Sequence, residues 1–495
     1  MNELFSTITS FLEQVLFFDI LFGSVEGVKV PLLIAWIVLG GVYLTIILKF
    51  VNLRMLGHSI NIIRGKYRTK DDKGRISPFQ SLTTALSATV GLGNIAGVAL
   101  AISMGGPGAT FWMIVAGFLG MSLKFTEVTL SVHYREFLKD GTIMGGGMEY
   151  LSKGLASKGW VGAGKVLAII FAIFMIGGAI GGGNTFQVSQ ALGAIGEQVP
   201  FFKENAIIFG VLLATITGLV IIGGIKRIAH FTEAIVPLMV VIYISASLWI
   251  LFANASAIPH AFVLIFTQAF NPDALAGGII GVIVIGFQRA AFSSEAGLGS
   301  APIAHAPARV KYPVRQGLVA LYEPFIDTVI ICTMTALVII ITGVYDPANG
   351  YGALIESGEG AALTAAAYGT VLSWFPIVLS VSIFLFAFST LIAWSYYGER
   401  AWVYLFGTKS SIWFKLMFLG FILIASVVDT NTMVDFSSML ILSMALPNIF
   451  GLFILSGDVR RYLNEYMAKL KSGELDREAL DHEPKPHEPN RHHHH

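Results

Sequence analysis

Two glycine-rich stretches, VGLGN at 90–94 and EAGLGS at 295–300, lie inside otherwise apolar runs. Glycine costs about 1 kcal/mol relative to alanine in a helix interior, so clustered glycines let a helix unwind locally at small cost. Each unwound point frees roughly four N–H and four C=O groups. In hydrocarbon an unpaired group costs several kcal/mol, so such a break survives only where it lines a polar cavity or grips a ligand. The helix that resumes after the break offers N–H donors and partial positive charge to an anion, and the helix ending before it offers carbonyls to a cation. The alternative reading is that Gly91, Gly93 and Gly97 only let helices pack closely; the second copy favours a functional break.

Other residues in apolar runs could also do chemistry. Ionisable groups inside a membrane are costly and mark function by default, which singles out Lys124, Glu127, Arg289, Glu295, Glu323 and Asp327. Lys124 and Glu127, at i,i+3 spacing, read as a structural ion pair or as part of an inner gate. Glu323 and Asp327, at i,i+4, are two acids that need a cation or a proton. Asn184 and Gln187 share one helical face and suit either the lining of a polar pocket or hydrogen bonds between helices. GLGNIA at 91–96 fits the pattern G-x-G-x-x-A, but it lies in an apolar helix with no βαβ context, so the match is chance. MGGGME at 144–149 lacks the Lys-Ser/Thr ending of a phosphate loop and reads as a flexible turn. No His, Cys or Ser/His/Asp set is placed together within the apolar runs, which argues against a membrane enzyme. The one cysteine, Cys332, permits no internal disulfide.

The elements that must position these residues follow from composition. Of 495 residues, 55% are hydrophobic and 13% charged, whereas a soluble chain carries about 25% charged. With roughly 20 apolar residues per crossing, eleven spans are expected. They lie near 29–51, 79–105, 108–134, 163–190, 205–224, 231–253, 276–302, 316–343, 373–404, 412–428 and 436–456. The short apolar stretch within 254–275, bracketed by Pro259 and Pro272, reads as an extracellular surface helix. Residues 1–28 read as an extracellular segment with an interfacial helix, not a signal peptide. Alternate loops hold the basic residues, among them Arg64, Lys66, Arg68, Lys139, Lys226, Arg309, Lys409 and Arg460, which places those loops, the tail 457–495 and the C-terminus in the cytoplasm, with the N-terminus outside. The terminal histidines read as an affinity tag. Residues 29–77 form an extra crossing with a basic loop; 78–253 and 276–456 form two five-helix halves. Each half begins with one glycine break, and the two run in opposite directions through the bilayer. Inverted repeats with an interrupted helix at matching places point to a secondary transporter with its site at the midplane.

VGLGN and FSSEAGLGS resemble the first and sixth helices of sodium-coupled transporters with the LeuT fold. With GGPGATFW at 105–112, GGGNTFQ at 181–187 and AFSSEAGLGSAPIAHA at 291–306, the chain is similar to the alanine/glycine:cation symporter family over nearly its whole length. The resemblance implies an all-α polytopic fold with a 5+5 inverted repeat, and symport of sodium with alanine or glycine into the cell. It implies that the N–H groups of Leu92 and Gly93 hold the substrate carboxylate with Gly91 and Asn94 close by, and that the carbonyls of Thr89, Phe292 and Ser293 receive the ammonium. Glu295 stands where neurotransmitter relatives have a hydroxyl and could pair with that ammonium. Sodium is expected between the carbonyls of Ser87, Val90 and Phe386 and the hydroxyls of Ser389 and Thr390, oxygen ligands that suit a hard cation. Asn184, Gln187, Phe186, Phe292 and Trp394 line the pocket, and Arg289 belongs to an outer gate. Substrate, sodium and lipid bilayer are the expected partners; nucleic acid is not. A proton-coupled symporter or exchanger is the nearest alternative, through Glu295, and an ion channel the alternative from another class.

Overall fold

The computed structural model describes residues 1–270 and 277–480, and their secondary structure is almost wholly helical. The principal helices are α1 Asn2–Leu16, α2 Leu32–Ile47, α3 Pro78–Thr89, α4 Gly93–Gly105, α5 Gly108–Tyr134, α6 Val161–Gln198, α7 Ala206–Ile221, α8 Gly224–Ala253, α9 Ala255–Phe270, α10 Gly278–Ser294, α11 Pro313–Thr342, α12 Phe375–Phe406, α13 Thr408–Val427 and α14 Thr430–Lys471. Seven of them (α5, α6, α8, α11, α12, α13 and α14) are long and apolar enough to cross a membrane, and α3 with α4 makes an eighth bent by 52°.

The other three expected crossings are helical but short: α2 and α7 have 16 residues and α10 has 17, against the roughly 20 that hydrocarbon requires. Local backbone chemistry explains two of these ends. Lys49 and Phe50 take left-handed conformations, φ 52° and 55°, just after α2, and Glu295 does so at φ 57° just after α10. Such φ values cost an L-residue roughly 1–2 kcal/mol and stop a helix.

Helix α3 starts at a capping box, with the Ser77 hydroxyl accepting from Gln80 N–H and the Gln80 side chain accepting from Ser77 N–H, and with Pro78 in the first helical position. It stops where Val90 leaves helical geometry at ψ 79°. Helices α6 and α11 each contain a widened turn, at Gly181–Thr185 and Phe325–Cys332. Widened turns free backbone groups within a helix and concentrate at functional sites.

The outer elements are packed, not loose. Phe5, Leu12 and Leu16 bury one face of α1, and Phe5 meets Phe436 of α14 edge-on at 4.6 Å. Asp19 accepts from the N–H groups of Val30, Gly23 and Leu21 and so pins the connection to α2. Helix α9 lies against α5, where Trp112 Nε1 donates to the Ala269 carbonyl at 3.0 Å and a Cβ on Gly108 would stand 2.3 Å from Gln268 backbone. The remainder of the expected surface element, residues 271–275, lies outside the described residues.

The stretch 144–149, expected as a flexible turn, is buried and closely packed. Ile143 and Met144 pair antiparallel with Phe137 and Glu136. A Cβ on Gly145 would come within 2.4 Å of Ala306, and one on Gly147 within 2.3 Å of Phe171, so these glycines permit close approach of three chain segments.

Candidate functional site

The first break, at Val90–Leu92 between α3 and α4, is held by side chains from other parts of the chain. Gly91 N–H donates to Asn94 Oδ1 at 2.9 Å, and to the Thr89 carbonyl at the same distance. Leu92 N–H donates to Gln187 Oε1 at 3.0 Å. Gln187 sits just past the widened turn of α6, where its Nε2 donates to the Gly182 carbonyl at 2.9 Å. The Leu92 donor expected to serve a carboxylate, and the neighbouring Gly91 donor, are thus engaged by carboxamide oxygens, which present the same acceptor chemistry without the charge.

Beside this break lies an oxygen cluster that joins α3 to α12. Ser87 Oγ donates to the Ser389 carbonyl at 2.7 Å, and Thr390 Oγ1 donates to the Ser87 carbonyl at 3.0 Å. Ser389 Oγ donates to the Phe386 carbonyl at 3.1 Å. Ser87, Phe386, Ser389 and Thr390 are therefore gathered as expected, and Val90 forms the turn next to them. A Cβ on Gly91 would stand 2.5 Å from Thr390 Oγ1 and 3.1 Å from Gln187 Oε1, so only glycine fits where the two clusters meet.

The second break follows α10. Glu295, Gly297 and Gly299 all have positive φ, at 57°, 85° and 79°. The Glu295 carboxylate does not stand open: Oε1 accepts from Trp394 Nε1 at 2.8 Å and Oε2 from Ser300 Oγ at 2.5 Å. Each oxygen thus carries one hydrogen bond, and lone pairs remain on both for a further donor such as an ammonium. The two breaks touch, since a Cβ on Gly93 would lie 3.2 Å from Ser293 Cα and 3.4 Å from Phe292. Phe292 packs edge-on against Phe186 at 4.6 Å, and Trp394 closes over Gly183.

Asn184 turns away from the break, and Arg289 lies between two helices. Asn184 Nδ2 donates to the Phe418 carbonyl of α13 at 2.8 Å, the interhelical alternative, while Gln187 alone of that pair faces the break. Arg289 is buried, with Nη1 3.5 Å from Ser438 Oγ and Asp435 acting on its charge, so it ties α10 to α14.

The acidic residues of α11 part company. Asp327 bridges both breaks: Oδ1 accepts from Asn94 Nδ2 at 2.6 Å and Oδ2 from Ser293 Oγ at 3.0 Å, with Thr328 Oγ1 donating at 2.8 Å. Glu323 instead pairs with Lys124 at 3.3 Å and with His305. The Lys124–Glu127 ion pair suggested by spacing is thereby replaced: Lys124 reaches across to α11, and Glu127 Oε1 accepts from Asn448 Nδ2 at 2.7 Å. Spacing along one helix ranks local neighbours only, and packing of α5 on α11 decided the partner. Sequence reasoning flagged Asp327 as costly but not as the bridge, and it missed His305, Gln316 and Asn448, which carry no periodic signal.

Two facing broken helices, held by buried polar side chains inside a bundle of apolar helices, define a multi-pass membrane transporter of the LeuT type. The fold matches the crystal structure of MhsT in complex with L-phenylalanine, with a TM-score of 0.52 at 15% identity, covering 82% of this chain and 99% of that one. The sequence pattern of the sodium:alanine symporter family matches residues 16–480, and the chain belongs to that family; it is a transporter and not an enzyme. It is 40% identical over 423 residues to the sodium/alanine symporter AgcS of Methanococcus maripaludis, covering 85% of this chain and 90% of that one. It is 34% identical over 447 residues to the probable sodium/glutamine symporter GlnT of Bacillus subtilis, covering 90% and 89%.

Proposed function

We propose that this transporter couples the entry of sodium to uptake of a small neutral amino acid, alanine or glycine, by alternating access, with its basic loops and C-terminus in the cytoplasm and its N-terminus outside. The observation that carries the reading is the meeting of two clusters at Gly91, where donors at Gly91 and Leu92 adjoin the Ser87, Ser389 and Thr390 oxygens. The substrate carboxylate takes the place of Gln187 Oε1 on Leu92 N–H, and sodium enters between the Ser87 carbonyl and Thr390 Oγ1, whose hydroxyl proton turns away. The two sites share α3, so filling one orders the other, and symport follows from that linkage. The packed rings of Phe186, Phe292 and Trp394 favour a small side chain over the larger one in the name of the glutamine relative.

One sodium crossing 100 mV releases about 2.3 kcal/mol, and a tenfold gradient adds about 1.4. Together they sustain roughly 500-fold accumulation of substrate at 1.4 kcal/mol per decade. The test is radiolabelled alanine uptake into proteoliposomes under separate sodium, proton and potassium gradients. Accumulation driven by sodium alone is expected; uptake indifferent to sodium, or driven by a proton gradient alone, contradicts the coupling, and currents far above substrate flux would favour a channel.

A further inference from the structure

A polar cavity of about 160 Å³ lies where the elements that carry the two breaks reach the basic loops, and Arg75, Thr142, Gly224, Pro307, Glu399 and Arg400 are among the residues that line it. Arg75 ends the basic loop before α3, Gly224 opens α8, and Pro307 follows the short helix Pro302–His305 beyond the second break. Glu399 and Arg400 lie on α12, which also carries Ser389, Thr390 and Trp394. Arg400 is ten residues past Thr390, about 15 Å along the axis at roughly 1.5 Å per residue. The cavity therefore stands in line with the oxygen cluster and the breaks, one step nearer to the basic loops.

Its charged groups have a definite arrangement. The Glu399 and Arg400 side chains are each 11% exposed. Arg400 Nη2 donates to Glu399 Oε1 at 3.3 Å, Nη1 approaches Met144 Sδ at 3.9 Å, and Cζ lies 5.3 Å from the centre of the Tyr396 ring. Arg400 Nε is buried without a hydrogen-bond partner. Arg75 is exposed, its Nη2 would stand 3.0 Å from a Cβ on Gly141, and Tyr396 lies within electrostatic reach of Arg75, Glu399 and Arg400 together. Two further charges border the place: Lys415, 3.8 Å from Glu399 Oε1, and Asp140, within reach of Arg400, whose Oδ1 accepts from Thr142 N–H at 2.8 Å. Three cations thus stand against two carboxylates. A buried donor left bare favours an incoming acceptor, and a guanidinium receives a carboxylate best, through parallel N–H···O bonds. Glu399 would repel a bare dianion such as phosphate but accepts from an ammonium. Opposite charges 3.3 Å apart on one wall match the opposite charges of an amino acid zwitterion. The volume has room for about five waters at roughly 30 Å³ each, the bulk of a small amino acid.

We propose that this cavity is a second amino acid site on the way out to the basic-loop side, in which Arg75 and Arg400 take the carboxylate and Glu399 the ammonium. The identity of the ligand rests on the proposed function. Because the segments that border the cavity lead to both breaks, a ligand held between them favours one arrangement of those segments over the other. Amino acid accumulated on that side therefore fills the site and slows further uptake.

The test has two arms on the full-length protein. Thr142→Cys supplies a reporter thiol at the cavity, the native Cys332 being buried. In detergent, alanine should slow labelling of that thiol by a maleimide several-fold, with acetate much weaker and phosphate without effect. Protection should persist when Gly91→Ala is added to disable the first break. With Arg75→Gln, a change at an exposed residue, the alanine concentration for half protection should rise about tenfold. No protection by alanine, its loss with Gly91→Ala, equal protection by phosphate, or an unmoved concentration in Arg75→Gln overturns the site. In proteoliposomes, alanine preloaded on the basic-loop side should halve net alanine uptake in the wild type, and about tenfold more should be needed in Arg75→Gln. Equal concentrations overturn the role in unloading and leave the labelling result to stand or fall by itself. Absence of alanine uptake in the wild type would count against the proposed function, whereas labelling is read without transport.

Discussion

The two breaks carry the same Gly-Leu-Gly core and solve the problem of an interrupted helix in opposite ways. At the first, the freed donors of Gly91 and Leu92 are met by side-chain amides of Asn94 and Gln187, partners that can be exchanged for a ligand. At the second, a run of left-handed residues at 295, 297 and 299 turns the chain tightly, and its one carboxylate is held by Trp394 and Ser300. That break is also wired into its surroundings, because Asn448 Nδ2 bridges the Gly297 carbonyl at 2.8 Å and Glu127. Its Oδ1 in turn accepts from Tyr150. We propose that the first break binds and the second holds.

Substitutions that separate those two roles should differ in what they damage. The largest effect is expected at the holding side. Lys124→Met leaves Glu323 buried without its ammonium and should destabilise the solubilised protein by about 3–5 kcal/mol. Adding Glu323→Leu should recover more than half of that loss, as read by thermal unfolding in detergent, because a buried pair replaced whole costs less than one broken. At the binding side, Gly91→Ala places a methyl 2.5 Å from Thr390 Oγ1. It should cut alanine uptake about 100-fold, the effect of roughly an ångström of misplacement, with a much smaller change in unfolding temperature. Thr390→Ala removes one oxygen and should raise the sodium concentration for half-maximal uptake about tenfold, near 1.4 kcal/mol, leaving the maximal rate within a few-fold.

The smallest effect belongs to a region remote from both breaks. The N–H of Val30, first among its partners, holds the half-buried Asp19 carboxyl below its ordinary pKa. Its contribution to the 19–30 connection is therefore present above the ordinary carboxylate value of about 3.9 and is lost as pH falls through the lower folded value. Protection of the Val30 amide from hydrogen exchange should follow that course, with alanine binding at neutral pH unchanged in Asp19→Asn.

Much of this architecture was legible before any coordinates. Glycine clusters and apolar runs are local signals, so the breaks and the helical stretches could be read from periodicity. The resemblance of VGLGN and FSSEAGLGS placed Ser87, Ser389 and Thr390 together, and the structure gathers them. The partners of the remaining polar residues could not be read, because they are fixed by which helices meet. Asn94 meets Asp327 across 233 positions, and Gln187 meets Leu92 across 95. The 144–149 glycines were misread for a related reason: a glycine needed for close approach to Ala306 and Phe171 looks the same in sequence as one needed for freedom. Likewise Glu295 could be flagged as an acid near the site, but not as a residue to which Trp394 and Ser300 already donate.

The contrast between a binding break and a holding break is tested most directly by hydrogen exchange of the amides in 85–101 and 290–301, with and without sodium and alanine together. Added ligands should increase protection in 85–101, where the Leu92 donor changes partner, and leave 290–301 unchanged within error. Equal protection of both segments, or a change confined to 290–301, would contradict the division of labour drawn from the two breaks.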